Sequence, residues 1–155
     1  MEFSLETAEQ LVKQHYRLQA KATPLNGYDE LNFLLTSTDG KKYIFKIAND
    51  EHGVSFLDAQ VAILNHLSKT SLADKFQKFV LNNEGKEIAK IVADGKNYYL
   101  RLVHFLEGEF WVEHKEPGTA LCKELGSFVG MMDKCLQNFS HPAMHRHYTW
   151  DISTA

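Results

Sequence analysis

The chain has 155 residues, of which 44% are hydrophobic, and this is enough for one soluble domain with a buried core. Its 17 basic and 20 acidic residues give a net charge of −3 without a long run of one sign, so neither a nucleic-acid surface nor a polybasic membrane patch is expected. No apolar run approaches the roughly 20 residues that span a bilayer, and the N-terminal residues are not signal-like.

The cysteine content indicates a reducing environment. Cys122 and Cys135 fall within one predicted helix. At 1.5 Å per residue they lie about 20 Å apart, which is too far for a disulfide. We therefore expect a cytoplasmic protein with free thiols.

The first part of the chain predicts a helix followed by hairpins. Ser4 can cap a helix over residues 5–16, and over residues 18–24 the pattern weakens toward a strand. Asn26-Gly27 then turns the chain into a strand over 31–37. With a single glycine, this turn is a weak signal for a phosphate-binding loop, and by itself it is better explained as a hairpin tip.

A second turn leads into a strand that carries a lysine. The run Tyr43-Ile44-Phe45-Lys46-Ile47 is rich in β-branched and aromatic residues, and alternation puts Lys46 on the opposite face from Phe45. A lysine held on a rigid strand can meet a phosphate as a point charge. The upstream turn at Gly27 could then close over the same phosphates.

The periodic segment over residues 54–68 predicts a helix with one apolar side. Gln60 lies within that side. A long polar side chain there either reaches solvent or needs a partner if it is buried. One interpretation is a solvated glutamine; the other is that Gln60 reaches Lys46 and fixes its position.

The remaining strands and their turns predict the fold class. Short strands over residues 78–81 and 87–92 lead to the longest strand-like run, residues 98–105. We count five strands, joined mostly by hairpins. The expected fold is α+β, an antiparallel sheet with a packed helix.

The composition changes after residue 106. A polar stretch leads to a long helix ending near Gln137, whose apolar stripe needs a partner surface. If residues 119–137 stay uncovered, we expect self-association. The tail offers metal-like ligand types in His141, His145, His147 and Asp151, but Pro142 interrupts any helix there, so we predict a connector and no metal site.

Six short segments have the order and spacing of a known family. They are residues 25–33 (LNGYDELNF), 43–47 (YIFKI), 57–60 (LDAQ), 100–108 (LRLVHFLEG), 139–143 (FSHPA) and 150–151 (WD). With them the chain resembles the N-terminal part of the aminoglycoside phosphotransferase and choline kinase-like superfamily. The similar branch includes hydroxylysine kinase and the kinase-like domains fused to class III aminotransferases.

The resemblance implies an ATP site in a protein kinase-like N-terminal lobe. It gives Lys46 contact with the α- and β-phosphates, and it places Gln60 where many kinases have the glutamate that pairs with this lysine. The other implied contacts are a covering loop and a hinge that recognises adenine through its backbone. These two elements comprise Gly27 and Tyr28 for the loop, and Val103, His104 and Leu106 for the hinge.

The resemblance also implies what lies elsewhere in such kinases. Their catalytic aspartate and the ligands of Mg²⁺ belong to the C-terminal lobe, and no catalytic residue is predicted in this sequence. We therefore expect a nucleotide-binding lobe over residues 1–106 and the first helices of a truncated C-terminal lobe over residues 107–155.

Two functions follow from the resemblance. One is the N-terminal part of an ATP-dependent phosphotransferase that acts on the hydroxyl of a small metabolite and is inactive alone. The alternative is a non-catalytic or regulatory nucleotide-binding module attached to a metabolic enzyme such as an aminotransferase. The acceptor, and the choice between ATP and GTP, stay open.

Overall fold

A computed structural model describes residues 3–50, 53–113 and 118–145. The chain folds into two compact units. The first unit comprises residues 1–54 and 76–107, and the second comprises residues 55–75 and 108–155. The domain boundary predicted after residue 106 stays a prediction. Helices and strands follow in the order α1 (Leu5–Tyr16), β1 (Ala20–Leu25), β2 (Leu31–Ser37), β3 (Lys42–Asn49), α2 (Val54–Leu67), β4 (Phe79–Val80), β5 (Ile88–Ala93), β6 (Lys96–His104) and α3 (Thr119–Leu136).

One antiparallel sheet forms the first unit. Its order is β1-β2-β3-β6-β4, and β5 also pairs with β6. The α+β class and the antiparallel pairing are confirmed, but the sheet has six strands where the sequence suggests five. The weak segment over residues 20–25 pairs with β2 along its whole length. Pro24 is tolerated there because β1 is an edge strand, where a missing N–H costs no ladder bond.

Helix α1 covers one face of this sheet. Ser4 caps the helix as predicted, since its hydroxyl accepts from the Thr7 N–H at 3.2 Å. The buried Tyr16 ring packs edge-on against Phe45, with centroids 6.2 Å apart, and its hydroxyl donates to the Leu100 carbonyl at 3.1 Å. Burial raises the pKa of Tyr16. The core therefore lies between α1 and the face of β3 that carries Phe45.

The second unit pairs α2 with the C-terminal segment. A ring nitrogen of His66, on α2, lies 2.8 Å from the Cys135 carbonyl oxygen, and the His66 ring lies 5.1 Å from the Phe139 ring. Cys122 and Cys135 are both free thiols. No residue of α3 is buried, and Leu125 is 48% exposed. Among the described residues, no helix is both long enough and apolar enough to cross a bilayer.

A carboxylate on α1 also ties the helix to the sheet edge. Glu9 accepts from the Ala22 N–H at 3.0 Å and from Lys21 Nζ at 3.2 Å. These contacts, the Ala22 bond first, lower the pKa of Glu9 from its ordinary value of 4.5. Because the folded pKa is lowered, the stabilisation is present above pH 4.5 and is lost as the pH falls through the lowered value.

We therefore expect Glu9→Gln to lower the free energy of unfolding at neutral pH by about 0.5–1 kcal/mol, a modest figure because Lys21 is exposed. The difference between wild type and variant should be smaller at about pH 3, because protonation of the Glu9 carboxylate weakens its contribution. Urea unfolding at both pH values measures it. An equal difference at both would contradict the role of the charge.

Candidate functional site

Lys46 lies in the middle of β3, within a row of polar side chains. Its direct cross-strand partners are Asn32 of β2 and Arg101 of β6. Directly paired residues share one face of a sheet. Lys46 is 29% exposed, whereas Phe45, its neighbour on the other face, is completely buried. Phe45 thus faces the core, whereas Lys46 and Arg101 place two adjacent cations on the opposite face of the sheet.

A carboxylate from the turn before β2 joins these two cations. Glu30 Oε2 accepts from Lys46 Nζ at 3.3 Å, and Glu30 Oε1 accepts from Arg101 Nη2. Glu30 is 14% exposed and Arg101 is 2% exposed. We call Lys46, Glu30 and Arg101 the strand triad. It has two positive charges and one negative charge, so it retains an excess cation beside the sheet.

Burial makes the Arg101–Glu30 contact the firmer half of the strand triad. Desolvation lowers the pKa of Arg101, and the nearby Glu30 carboxylate opposes this shift. Taking a guanidinium out of water is costly unless a carboxylate compensates it. Glu30 is therefore fixed mainly by Arg101, while Lys46 is the more accessible member.

Gly27 allows the turn that carries Glu30 to close tightly. A Cβ added at Gly27 would lie 2.1 Å from the Glu30 carbonyl oxygen and 2.3 Å from Asn32 Nδ2. Asn32 Nδ2 in turn donates to the same carbonyl oxygen at 3.2 Å. Tyr28, at the tip, is 85% exposed. The predicted loop residues Gly27 and Tyr28 thus lie three and two positions before the triad carboxylate.

Residues of this turn line a cavity of about 250 Å³. Typical small-molecule pockets measure roughly 300–1,000 Å³, so the cavity alone is too small for a nucleotide. Lys46 does not line this cavity. The residues that line it are Gly27, Tyr28, Asp29, Glu30, Leu31, Ile47, Asn49 and Tyr98.

The predicted adenine-binding segment lies at the end of β6. Val103 is 2% exposed, and the His104 N–H donates to the Lys78 carbonyl at 2.9 Å. Leu106 lies past the end of the strand and is 44% exposed. Within the described part of the chain, its backbone groups have no hydrogen bond. Leu106 can therefore offer its backbone to a ligand, whereas the amide of His104 is engaged.

The two remaining sequence predictions are not tested by this arrangement. Gln60 lies on α2, in the second unit, so its contact with Lys46 stays a prediction. Of the histidine-rich tail, His147 and Asp151 lie outside the described residues. His141 accepts from the Ala143 N–H at 3.3 Å. Within the described ranges, no group of three or more His, Cys, Asp or Glu side chains could hold a metal.

Comparison with curated proteins finds similarity to two hydroxylysine kinases. Hydroxylysine kinase of Bos taurus is 27% identical over 98% of this chain and 44% of that protein. Hydroxylysine kinase of Danio rerio is 23% identical over 93% of this chain and 43% of that protein. The chain therefore spans less than half the length of these relatives. No protein-family model matches it.

Comparison with solved structures finds the same architecture. An aminopropanol kinase associated with a microcompartment superposes with a TM-score of 0.71 at 15% identity, covering 96% of this chain and 45% of that one. An amicoumacin kinase, solved in complex with AMP-PNP, Ca²⁺ and Ami, superposes with a TM-score of 0.69 at 20% identity, covering 84% of this chain and 40% of that one.

The chain has the kinase-like fold of the aminoglycoside phosphotransferase and choline kinase-like superfamily. The resemblance that the sequence predicts is thereby confirmed, and so is the protein kinase-like N-terminal lobe. In this kinase-like chain the six-stranded sheet and α1 make up the first unit.

Sequence reasoning missed two members of the strand triad. Glu30 belongs to a polar turn, and Arg101 lies inside an apolar strand to which the sequence pattern assigns no charged function. The signal that could have found them is the charge of Arg101 within the run 98–105. A cation inside a buried strand requires an anion, and Glu30 borders the loop that the resemblance assigns to nucleotide.

Proposed function

We propose that this chain is the nucleotide-binding part of an ATP-dependent phosphotransferase that acts on the hydroxyl of a small metabolite. The observation that carries the proposal is the strand triad, in which the partly exposed ammonium of Lys46 projects from a rigid β-strand beside a buried ion pair. An ammonium so placed is a point charge suited to phosphate oxygens.

The neighbouring elements supply the rest of the proposed nucleotide site. The turn with Gly27 and Tyr28 covers the phosphates, and the backbone near Leu106 recognises the base. Val103 and His104 belong to the same base-binding segment.

Mg²⁺ would neutralise the developing charge on the transferred phosphate. The described residues contain no group of three or more His, Cys, Asp or Glu side chains that could hold a metal. We propose that the ligands of Mg²⁺ come from a C-terminal lobe and that this chain alone does not turn over substrate. The amicoumacin kinase neighbour, whose structure contains AMP-PNP and Ca²⁺, supports nucleotide and metal use in this fold. We place the chain in the cytoplasm, where ATP is available.

Titration of the 155-residue chain with ATP and Mg²⁺, followed by NMR, tests this proposal. We expect weak binding that Lys46→Met lowers about tenfold, which corresponds to one lost charged contact of about 1.4 kcal/mol. Lys41→Met is the matched control, because Lys41 is exposed and paired with Asp39 in a hairpin turn. It should leave the affinity within about twofold. Equal affinities of wild type and Lys46→Met would refute the proposed site.

A further inference from the structure

We infer that Glu30 is the carboxylate that positions Lys46 for nucleotide phosphates, and that Arg101 holds Glu30 in place. This inference rests on the proposed function. The superfamily resemblance assigns the partner of the lysine to α2, where this chain has Gln60. The strand triad supplies a carboxylate from the nucleotide-covering turn instead.

Each carboxylate oxygen of Glu30 accepts a hydrogen bond from a different cation. Oε1 accepts from Arg101 Nη2, and Oε2 accepts from Lys46 Nζ at 3.3 Å. Arg101 is 2% exposed, so losing its carboxylate would leave a buried charge without that compensation. Glu30 therefore keeps its contact with Arg101 when a nucleotide binds. It is a positioning residue, and the phosphates do not displace it.

Lys46 keeps donors for a phosphate while it holds Glu30. An ammonium group carries three N–H donors, and the Glu30 contact uses one of them. The Lys46–Glu30 distance of 3.3 Å exceeds the roughly 2.7–2.9 Å of a strong charge-assisted bond, so the side chain is restrained but not locked. Phosphate oxygens can thus bind to the remaining donors without breaking the contact.

The backbone of the turn fixes the position of Glu30 independently of its charge. The Asn32 side chain donates to the Glu30 carbonyl oxygen, and Gly27 approaches the same oxygen so closely that a Cβ would lie 2.1 Å away. The covering turn and the lysine are therefore linked through one residue. A nucleotide that orders this turn also orders Lys46.

A double-mutant cycle for ATP binding tests the inference. Wild type, Glu30→Gln, Lys46→Met and the double variant are titrated with ATP and Mg²⁺ and, separately, with adenosine. If Glu30 acts through Lys46, Glu30→Gln weakens ATP binding about tenfold in the presence of Lys46. The reason is that Lys46 is no longer positioned for its charged contact with phosphate. In the Lys46→Met background the same change has an effect below about twofold. Adenosine affinity stays unchanged, because adenosine lacks phosphates.

Matched variants keep the test decisive. Glu84→Gln removes an exposed carboxylate that contacts Lys86 at 2.9 Å, and this variant should bind ATP with unchanged affinity. If circular dichroism shows that Glu30→Gln is unfolded, the pair Glu30→Gln/Arg101→Gln replaces it, because this pair removes the buried charge together with its partner. The same tenfold loss is then expected.

The outcomes separate this inference from the proposed function. Unchanged or tighter ATP binding by Glu30→Gln, with a loss in Lys46→Met, overturns the inference and leaves the function standing. Equal losses for ATP and adenosine assign Glu30 a merely structural role and also overturn it. An unaffected Lys46→Met removes the proposed function, and the inference falls with it.

Discussion

Phe45→Ala is expected to lower the free energy of unfolding by about 3–5 kcal/mol. Phe45 is completely buried at the centre of the sheet, and its ring lies 6.2 Å from the Tyr16 ring and 6.4 Å from the Phe33 ring. Truncation removes its apolar contacts and leaves a cavity. A central strand is paired on both sides, so it cannot shift to fill that cavity. The expected loss is a large share of the roughly 5–15 kcal/mol that stabilise a typical domain.

Urea denaturation followed by circular dichroism measures this effect. Phe110→Ala is the matched control, because it removes the same side chain from a position that is 74% exposed. It should change stability by no more than about 0.5 kcal/mol. A loss below about 1 kcal/mol in Phe45→Ala would contradict the described core.

Glu30→Ala is expected to cost about 3 kcal/mol, and Arg101→Met considerably less. The two differ because of what each leaves behind. Without Glu30, the buried guanidinium of Arg101 loses its carboxylate. Without Arg101, Glu30 keeps Lys46 at 3.3 Å, and methionine fills the vacated space with an apolar chain.

The double variant sharpens this prediction. Glu30→Ala/Arg101→Met leaves no buried guanidinium, so it should be more stable than Glu30→Ala alone, which is a strong departure from additivity. Thermal unfolding of the four proteins gives the comparison. If Arg101→Met were the more damaging change, or the two losses simply added, the buried pair would not have the energetics described.

Local periodicity made most of the fold predictable. Strand β3 is rich in β-branched and aromatic residues, and α2 repeats its apolar residues every three or four positions. Their predicted ranges therefore agree with the structure to within two residues. Strand β1 escaped a firm assignment because Lys21, Thr23 and Pro24 interrupt the apolar pattern. Pairing with β2, a tertiary effect, makes it a strand nonetheless.

The candidate site was only half predictable for a similar reason. Lys46 stands out within its own strand, whereas Glu30 and Arg101 are 71 positions apart in sequence. Only the sheet register, which pairs Lys46 with Arg101, brings these charges together. Register depends on which strands become neighbours, and no local pattern in a turn or a single strand reports it.

The most direct test of the central claim observes the Lys46 ammonium itself. Its ¹⁵N-edited NMR signal is assigned by loss in Lys46→Met and followed while the 155-residue chain is titrated with ATP and Mg²⁺, then with adenosine. A triphosphate received by this side chain predicts a shift of the signal with ATP and none with adenosine. A signal that stays in place while backbone amides report saturation with ATP would contradict the proposed site.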